Sequence, residues 1–283
     1  MATESSSAIS FTLRQRTEAT VYNERVRGLI ANLRDEDLRV DPVTPPFPNA
    51  EHIDFLSFAL GRLPQPAGAR VLEVGSGPGS LSVYLALQGA HVTGVDVSEE
   101  NVALARRCAA VNGVAERIDF RVVPIEQLDD PDGTYDFIIG NQVLHHFELE
   151  QAMPNIRRVL KPGGRAVFCE PVLLLPAPLR RLRDQRWVKR FLPKRVDTPT
   201  ERSVSLDDLA LIRRVFVDVR LHPFQLLARL RNFVDLSESW VRRLTRVDAW
   251  LLKHVSPLRP LCRFVVLETV RNERSSLTQG RNG

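Results

Sequence analysis

The sequence predicts an α/β protein built on a parallel sheet with helices on both faces. Three observations carry that reading. Short apolar runs alternate with helical patterns along residues 70–171. The first run, RVLEV, ends in a glycine-rich turn that leads straight into a helix. Hydrophobic residues make up 43% of the 283 residues and charged ones 26%, enough for a sizeable core and against wholesale disorder.

Taken in order, residues 11–40 space apolar side chains by threes and fours, a helical pattern. Pro42, Pro45, Pro46 and Pro48 crowd the stretch 41–49, which is therefore a connector. Helical spacing resumes over 50–61 and stops at Gly61. A regular beat follows: strand 70–74, helix 80–88, strand 91–97, and a helix over 99–112 that ends at Gly113. Strands at 117–123 and 135–141, a helix at 148–160, a KPGG turn and a strand at 164–171 continue it. Ligands of such sheets bind at the carboxyl ends of the strands.

After residue 171 the beat breaks. Ser205 caps a helix over 205–216, DVRLHPF starts a strand, 224–256 is helical in pattern, and 262–271 is a final strand. Residues 171–200 and 224–260 read as insertions that form a cap. The charge divides at the same place. Residues 1–170 hold 16 Lys+Arg against 23 Asp+Glu, a net of −7, and 171–283 hold 23 against 11, a net of +12. The three cysteines, Cys108, Cys169 and Cys262, are far apart and odd in number, which argues against a disulfide framework or a zinc site. No metal is expected, and a reducing cytoplasm is the simplest location, with no secretory signal or membrane-spanning run in view.

The strongest local signal is VLEVGSGPGS, residues 71–80. Glycines let the backbone turn sharply and approach a ligand, and the helix start behind them favours a carboxylate or phosphate. Glu73, before the turn, sits badly beside a pyrophosphate but suits the ammonium of a zwitterion. Asp96 ends the second strand 21 residues after Gly75, where a carboxylate accepts hydrogen bonds from ribose hydroxyls. A nicotinamide oxidoreductase would instead want G-x-G-x-x-G spacing and a hydride-site pair such as Tyr/Lys, and neither is present near these strands.

With LEVGSGPG, VTGVDVS, TYDFIIGNQVLHHF and LKPGG in that order, residues 50–171 resemble the class I S-adenosylmethionine-dependent methyltransferases, in their small-molecule and natural-product branch. The resemblance implies a Rossmann-like seven-stranded sheet whose last strand is antiparallel, S-adenosylmethionine as cofactor and S-adenosylhomocysteine as product. It also implies a three-part organisation: a helical lid and linker over 1–49, the cofactor-binding core over 50–171, and cap insertions plus terminal strands over 172–283. Position by position, Glu73, Gly75, Ser76 and Gly77 match the motif around the methionine end. Asp96 and Val97 resemble the ribose carboxylate and its apolar neighbour, and Asn141 the residue facing the cofactor amine. Where many relatives have an Asp after the third strand, Pro124 stands here, so adenine recognition would fall to Ile125 or Glu126.

A protein that transfers a methyl group needs alignment, dryness and, for a hydroxyl acceptor, a base. His145 and His146 are the candidate proton acceptors, with a wall or cap role as the alternative for either. Tyr22, on the lid helix of the related enzymes, is a candidate contact to cofactor or substrate, and Glu170 to a polar acceptor. The basic segment 180–195, with eight Lys or Arg, reads in three ways: a solvated cap face, a peripheral contact with an anionic membrane, or a phosphate grip. The expected partner is a small, hydrophobic or amphipathic acceptor in secondary metabolism, not nucleic acid. A membrane-associated lipid or quinone acceptor and a non-catalytic scaffold remain alternatives, and oligomeric state is not legible.

Overall fold

The computed structural model describes residues 9–46, 53–63, 65–174, 203–228 and 236–272, together with positions 181, 185, 230 and 234. In chain order the elements are α1 (Leu13–Ile30), α2 (Ile53–Leu60), β1 (Arg70–Val74), α3 (Ser80–Leu87), β2 (His91–Asp96), α4 (Glu99–Val111), β3 (Ile118–Val122) and β4 (Tyr135–Asn141). They continue with α5 (Leu149–Val159), β5 (Leu160–Pro171), α6 (Leu206–Val215), β6 (Asp218–Phe224), α7 (Glu238–His254) and β7 (Phe264–Val270). The seven strands form one sheet in the order β3-β2-β1-β4-β5-β7-β6. β1, β2 and β3 run parallel, with Val71 opposite Val92 and Val92 opposite Ile118. β7 is antiparallel to both β5 and β6, as the resemblance implied for the last strand.

The chain groups into two compact units. The first holds Met1–Pro46, Gln65–Ile139 and Pro154–Lys161. Its core is the apolar interior of β1 and β2 (Leu72, Val74, Val92, Val95) against α3 and α4 (Val83, Leu85, Val102, Ala105). Burial of this kind is worth roughly 25 cal/mol per Å² of apolar surface. Helix α4 begins at Ser98, whose side chain accepts the N–H of Asn101, and ends before Gly113, at φ 69°.

The second unit holds Phe47–Pro64, Gly140–Met153 and Pro162–Gly283. Phe168, Cys169, Val266 and Leu267 fill its sheet, and Phe55 of α2 stacks on Phe264 with ring centroids 4.8 Å apart. Buried Glu268 on β7 accepts from Arg62 at 2.7 Å, lies 3.1 Å from Arg165 and meets His222 at 3.1 Å. Burial is the largest single influence and pushes its carboxyl up, but Arg62, His222 and Arg165 together outweigh it and hold the group below the usual range. Cys108, Cys169 and Cys262 are all buried free thiols.

Three boundaries depart from the sequence expectation. The helical pattern over 11–40 breaks at Ile30, because Asp37 turns back to the backbone N–H of Arg34 and closes a short 3-10 turn over 35–38. The KPGG turn is absorbed into β5. Gly163 takes a left-handed φ of 75° and donates to the carbonyl of Arg271, so the strand kinks while keeping a partner. Among the described residues, the helical pattern over 224–256 gives the α-helix Glu238–His254, and its first residue belongs instead to β6, which runs on to Phe224. Most of the 171–200 insertion, and nearly all of the basic segment 180–195, lie outside the described residues. Among the described residues, no helix is long and apolar enough to cross a membrane.

Candidate functional site

In the first unit, β1 runs into a loop folded tightly against β2. The N–H groups of Gly75 and Ser76 both donate to the carbonyl of Val95, at 2.8 and 3.0 Å. The N–H of Gly77 donates to Asp96 Oδ2 at 2.9 Å. Gly79 has φ 82°, and a Cβ there would stand 2.6 Å from that of Ala105. Asp96 Oδ1 accepts from the N–H of Ser98 and from Asn101 Nδ2, at 2.9 and 3.3 Å. Asp96 therefore clamps the glycine loop to the start of α4, a task the sequence reading did not assign it.

Glu73 is buried, 5% exposed, and accepts the hydroxyl and backbone N–H of Ser82 in the first turn of α3. Glu73 is thus a carboxylate of the interior and not of the surface. Burial pushes its pKa up to about 8, the Ser82 bonds oppose the rise and nearby Asp96 adds to it. Ser76 Oγ is buried with no hydrogen-bond partner among the described residues. A hydroxyl left so in a ligand loop fits an added polar group, since an unmet buried donor costs about 1–3 kcal/mol.

Val97 is half-buried beside Asp96. After β3, Ile125 is buried and its carbonyl accepts from Asn155 Nδ2 at 2.6 Å. Glu126 accepts from Gln15 Nε2 of α1 at 3.1 Å. Helix α1 also ties down the loop after β2, because Asn23 Oδ1 accepts from Ser98 Oγ at 2.6 Å and Arg27 pairs with Glu100 at 2.8 Å. Unusually for a surface helix, α1 buries Gln15 and Glu18 and leaves Leu13 84% exposed. Tyr22 lies half-buried on the same helix.

In the second unit, a turn follows β4 and is gripped from the end of β5. Glu170 Oε1 accepts the N–H groups of Val143 and Leu144 at 2.7 and 2.9 Å, and Oε2 lies 3.0 Å from His145 Nδ1. Glu170 and His145 are both buried, whereas His146 is half-buried with its ring centroid 4.1 Å from that of His145. Gln142 takes a left-handed φ of 56° and donates its N–H to the carbonyl of Cys169 at 2.7 Å. Asn141 Oδ1 is buried without a hydrogen-bond partner among the described residues and offers an acceptor to a cation. Glu170, expected as an acceptor contact, has both oxygens engaged within the protein.

Sequence reasoning missed Ser82, Gln142, Gln15, Asn23 and Asn155. Only Gln142 carried a local hint, as the polar residue directly after a buried strand; the rest act through contacts distant in sequence.

A sheet in this order, with a glycine loop after β1 and a carboxylate ending β2, defines a protein that binds a nucleoside cofactor. A family described as "Methyltransferase domain" matches residues 72–168. A ubiquinone biosynthesis O-methyltransferase of Xylella fastidiosa (strain 9a5c) is 32% identical over 209 residues, which cover 70% of this chain and 82% of that protein. The S-adenosyl-L-methionine-dependent Diels-Alderase iccD of Talaromyces variabilis is 40% identical over 114 residues, 39% of each chain. In fold, the chain is similar to geranyl diphosphate C-methyltransferase from Streptomyces coelicolor A3(2), with TM-score 0.60 and 16% identity over 93% of this chain and 100% of that one. It is similar also to the [4+2]-cyclase SpnF, with TM-score 0.58 and 20% identity over 93% and 98%. The chain belongs to the class I S-adenosylmethionine-dependent methyltransferases, and S-adenosylmethionine is its cofactor. The residues of the first unit fit that group: a zwitterion without phosphates tolerates Glu73 beside the loop, and Ser76 Oγ is a buried polar atom without a hydrogen-bond partner among the described residues.

Proposed function

We propose that the protein methylates an oxygen or nitrogen atom of a small hydrophobic or amphipathic metabolite, with His145 as proton acceptor and Glu170 as its positioning residue. The observation that carries this reading is the grip of Glu170 on the 143–145 turn. Bound S-adenosylmethionine supplies a methyl carbon activated by a positive sulfur, so the protein's own work is alignment, exclusion of water and handling of the acceptor's proton. The carboxylate on Nδ1 keeps the N–H there and the lone pair on Nε2, as an orienting acid does for a histidine base. When Nε2 takes the hydroxyl proton, the imidazolium is stabilised by Glu170. Burial of both groups strengthens that interaction.

On the cofactor, Ser76 Oγ would donate to the methionine carboxylate, Glu73 would meet the ammonium and Asp96 the ribose; in the second unit, Asn141 offers its Oδ1 as a cation acceptor. Val97, Ile125 and Glu126 would border the adenine, with Tyr22 on the covering helix. Three buried free thiols are consistent with a reducing cytoplasm. An O-methyltransferase of ubiquinone biosynthesis among the relatives supports a hydroxylated, apolar acceptor, and keeps a membrane-borne quinone or lipid as the variant of this reading.

A second reading is favoured by the similarity to iccD: the cofactor is retained while the reaction is a cyclisation. The two are separated by incubating the protein with hydroxylated and amine acceptors and S-adenosylmethionine, and following S-adenosylhomocysteine by mass spectrometry. Stoichiometric formation of S-adenosylhomocysteine and methylated acceptor supports methyl transfer. Substrate conversion that proceeds equally with S-adenosylhomocysteine in place of S-adenosylmethionine overturns it.

A further inference from the structure

Helix α7 presents an apolar stripe to solvent where a surface helix ordinarily shows charge. Trp240 is 54% exposed, Val247 45% and Trp250 59%. At about 100° per residue, positions 240, 243, 247, 250 and 254 fall within an arc of roughly 80°. Trp240, Val247 and Trp250 therefore form one exposed apolar stripe, with Arg243 and His254, also exposed, set against its two indole rings. Arg246, Lys253 and Arg242 flank it on the outer side, while Leu244, Asp248, Leu251 and Leu252 turn towards the protein. The exposed charge is lopsided. Arg242, Arg243, Arg246 and Lys253 stand against Glu238, itself 3.2 Å from Arg242, because the helix's other acid, Asp248, is buried.

We propose that α7 is a docking surface for an anionic lipid bilayer, lying in the headgroup region with its two tryptophans inserted. The apolar stripe with a basic flank is the pattern of helices that lie on membranes, and tryptophan favours the boundary between apolar and polar phases. Charge complementarity selects the occupant. Two copies of this helix meeting face to face would bring like charges together, whereas anionic headgroups attract each Lys or Arg by about 1 kcal/mol near the surface. Nucleic acid is disfavoured because the ring faces are already engaged. The Arg243 guanidinium lies 5.4 Å from the Trp240 ring centroid, and the His254 ring stacks on Trp250 at 5.2 Å. None of the residues of this surface is among those assigned to cofactor or proton transfer.

The test uses the full chain in co-sedimentation with vesicles of phosphatidylcholine alone and of phosphatidylcholine mixed with phosphatidylglycerol. The expected result is binding to the mixed vesicles only, weakened by salt. It should fall about tenfold or more in the double variant Trp240→Ala/Trp250→Ala and in Arg243→Glu/Arg246→Glu, while affinity for S-adenosylmethionine is unchanged in both. Absence of binding to the mixed vesicles at low salt overturns the proposal. So does binding that both double variants leave intact, which would put the contact elsewhere in the chain. Self-association that the tryptophan variant abolishes would make the stripe an interface between copies, and tighter binding to an oligonucleotide than to vesicles would make it a nucleic-acid surface.

Discussion

The Glu170 carboxylate lies 3.0 Å from His145 Nδ1 and, through its other oxygen, holds the backbone N–H groups of Val143 and Leu144. One side chain thus sets both the path of the turn and the tautomer of the histidine it carries. With a hydroxylated acceptor, His145→Ala should lower kcat by about 10²–10³. Glu170→Gln should lower kcat about tenfold or more and leave the KM for S-adenosylmethionine near its starting value. An unchanged kcat in Glu170→Gln, with only Tm lowered, would reduce Glu170 to a structural brace.

With the proposed ammonium contact, Glu73 should make cofactor affinity and stability respond to pH in opposite directions. Its pKa of about 8 lies above the unfolded value, so between about pH 4.5 and 8 the folded state holds more protons than the unfolded one. Stability of the cofactor-free protein therefore falls as pH rises through that window. An ammonium beside Glu73 favours the ionised form, so binding releases a proton and affinity rises over the same range, by up to about tenfold per unit. Calorimetry in buffers of different ionisation enthalpy should show that proton release, and Glu73→Gln should remove it while raising Tm at pH 8.

Gly79→Ala is expected to destabilise by about 2–4 kcal/mol, from a left-handed φ and a contact that cannot be made. The intruding Cβ would stand 2.6 Å from Ala105 Cβ, so Ala105→Gly should restore part of the loss. Urea denaturation of the two single variants and the double variant gives the coupling.

Asp248 anchors α7 by accepting three consecutive N–H groups, from Leu226, Leu227 and Ala228, at 2.9, 2.7 and 2.9 Å. Asp248→Asn sets an amide where an anion is required and should cost about 2–4 kcal/mol. Tm should drop by several degrees, with hydrogen exchange quickening first in α7 and at 226–228.

The sheet was legible because its strands and helices are local: RVLEV, HVTGVDV and YDFIIGN form strands close to where their apolar runs place them. The glycine loop was legible for the same reason. Its partners were not, since Ser82 on Glu73, Glu170 on His145 and Gln15 on Glu126 join residues 9, 25 and 111 positions apart. Glu170 could be placed at the end of a strand from its sequence, but the direction of its carboxylate depends on the packing of β5 against β7. The three consecutive amides that Asp248 caps follow Gln225 at φ 60°, a backbone state no residue type announced.

The hydrogen bonds of α1 have a kinetic consequence. Asn23 and Gln15 hold the segments after β2 and β3, so the helix cannot swing away without loosening the residues assigned to ribose and adenine. With the cofactor placed as proposed, entry and departure of the nucleoside would be gated by one opening event. Asn23→Ala with Gln15→Ala should speed release of S-adenosylhomocysteine more than it weakens equilibrium binding, making the helix a regulator of residence time.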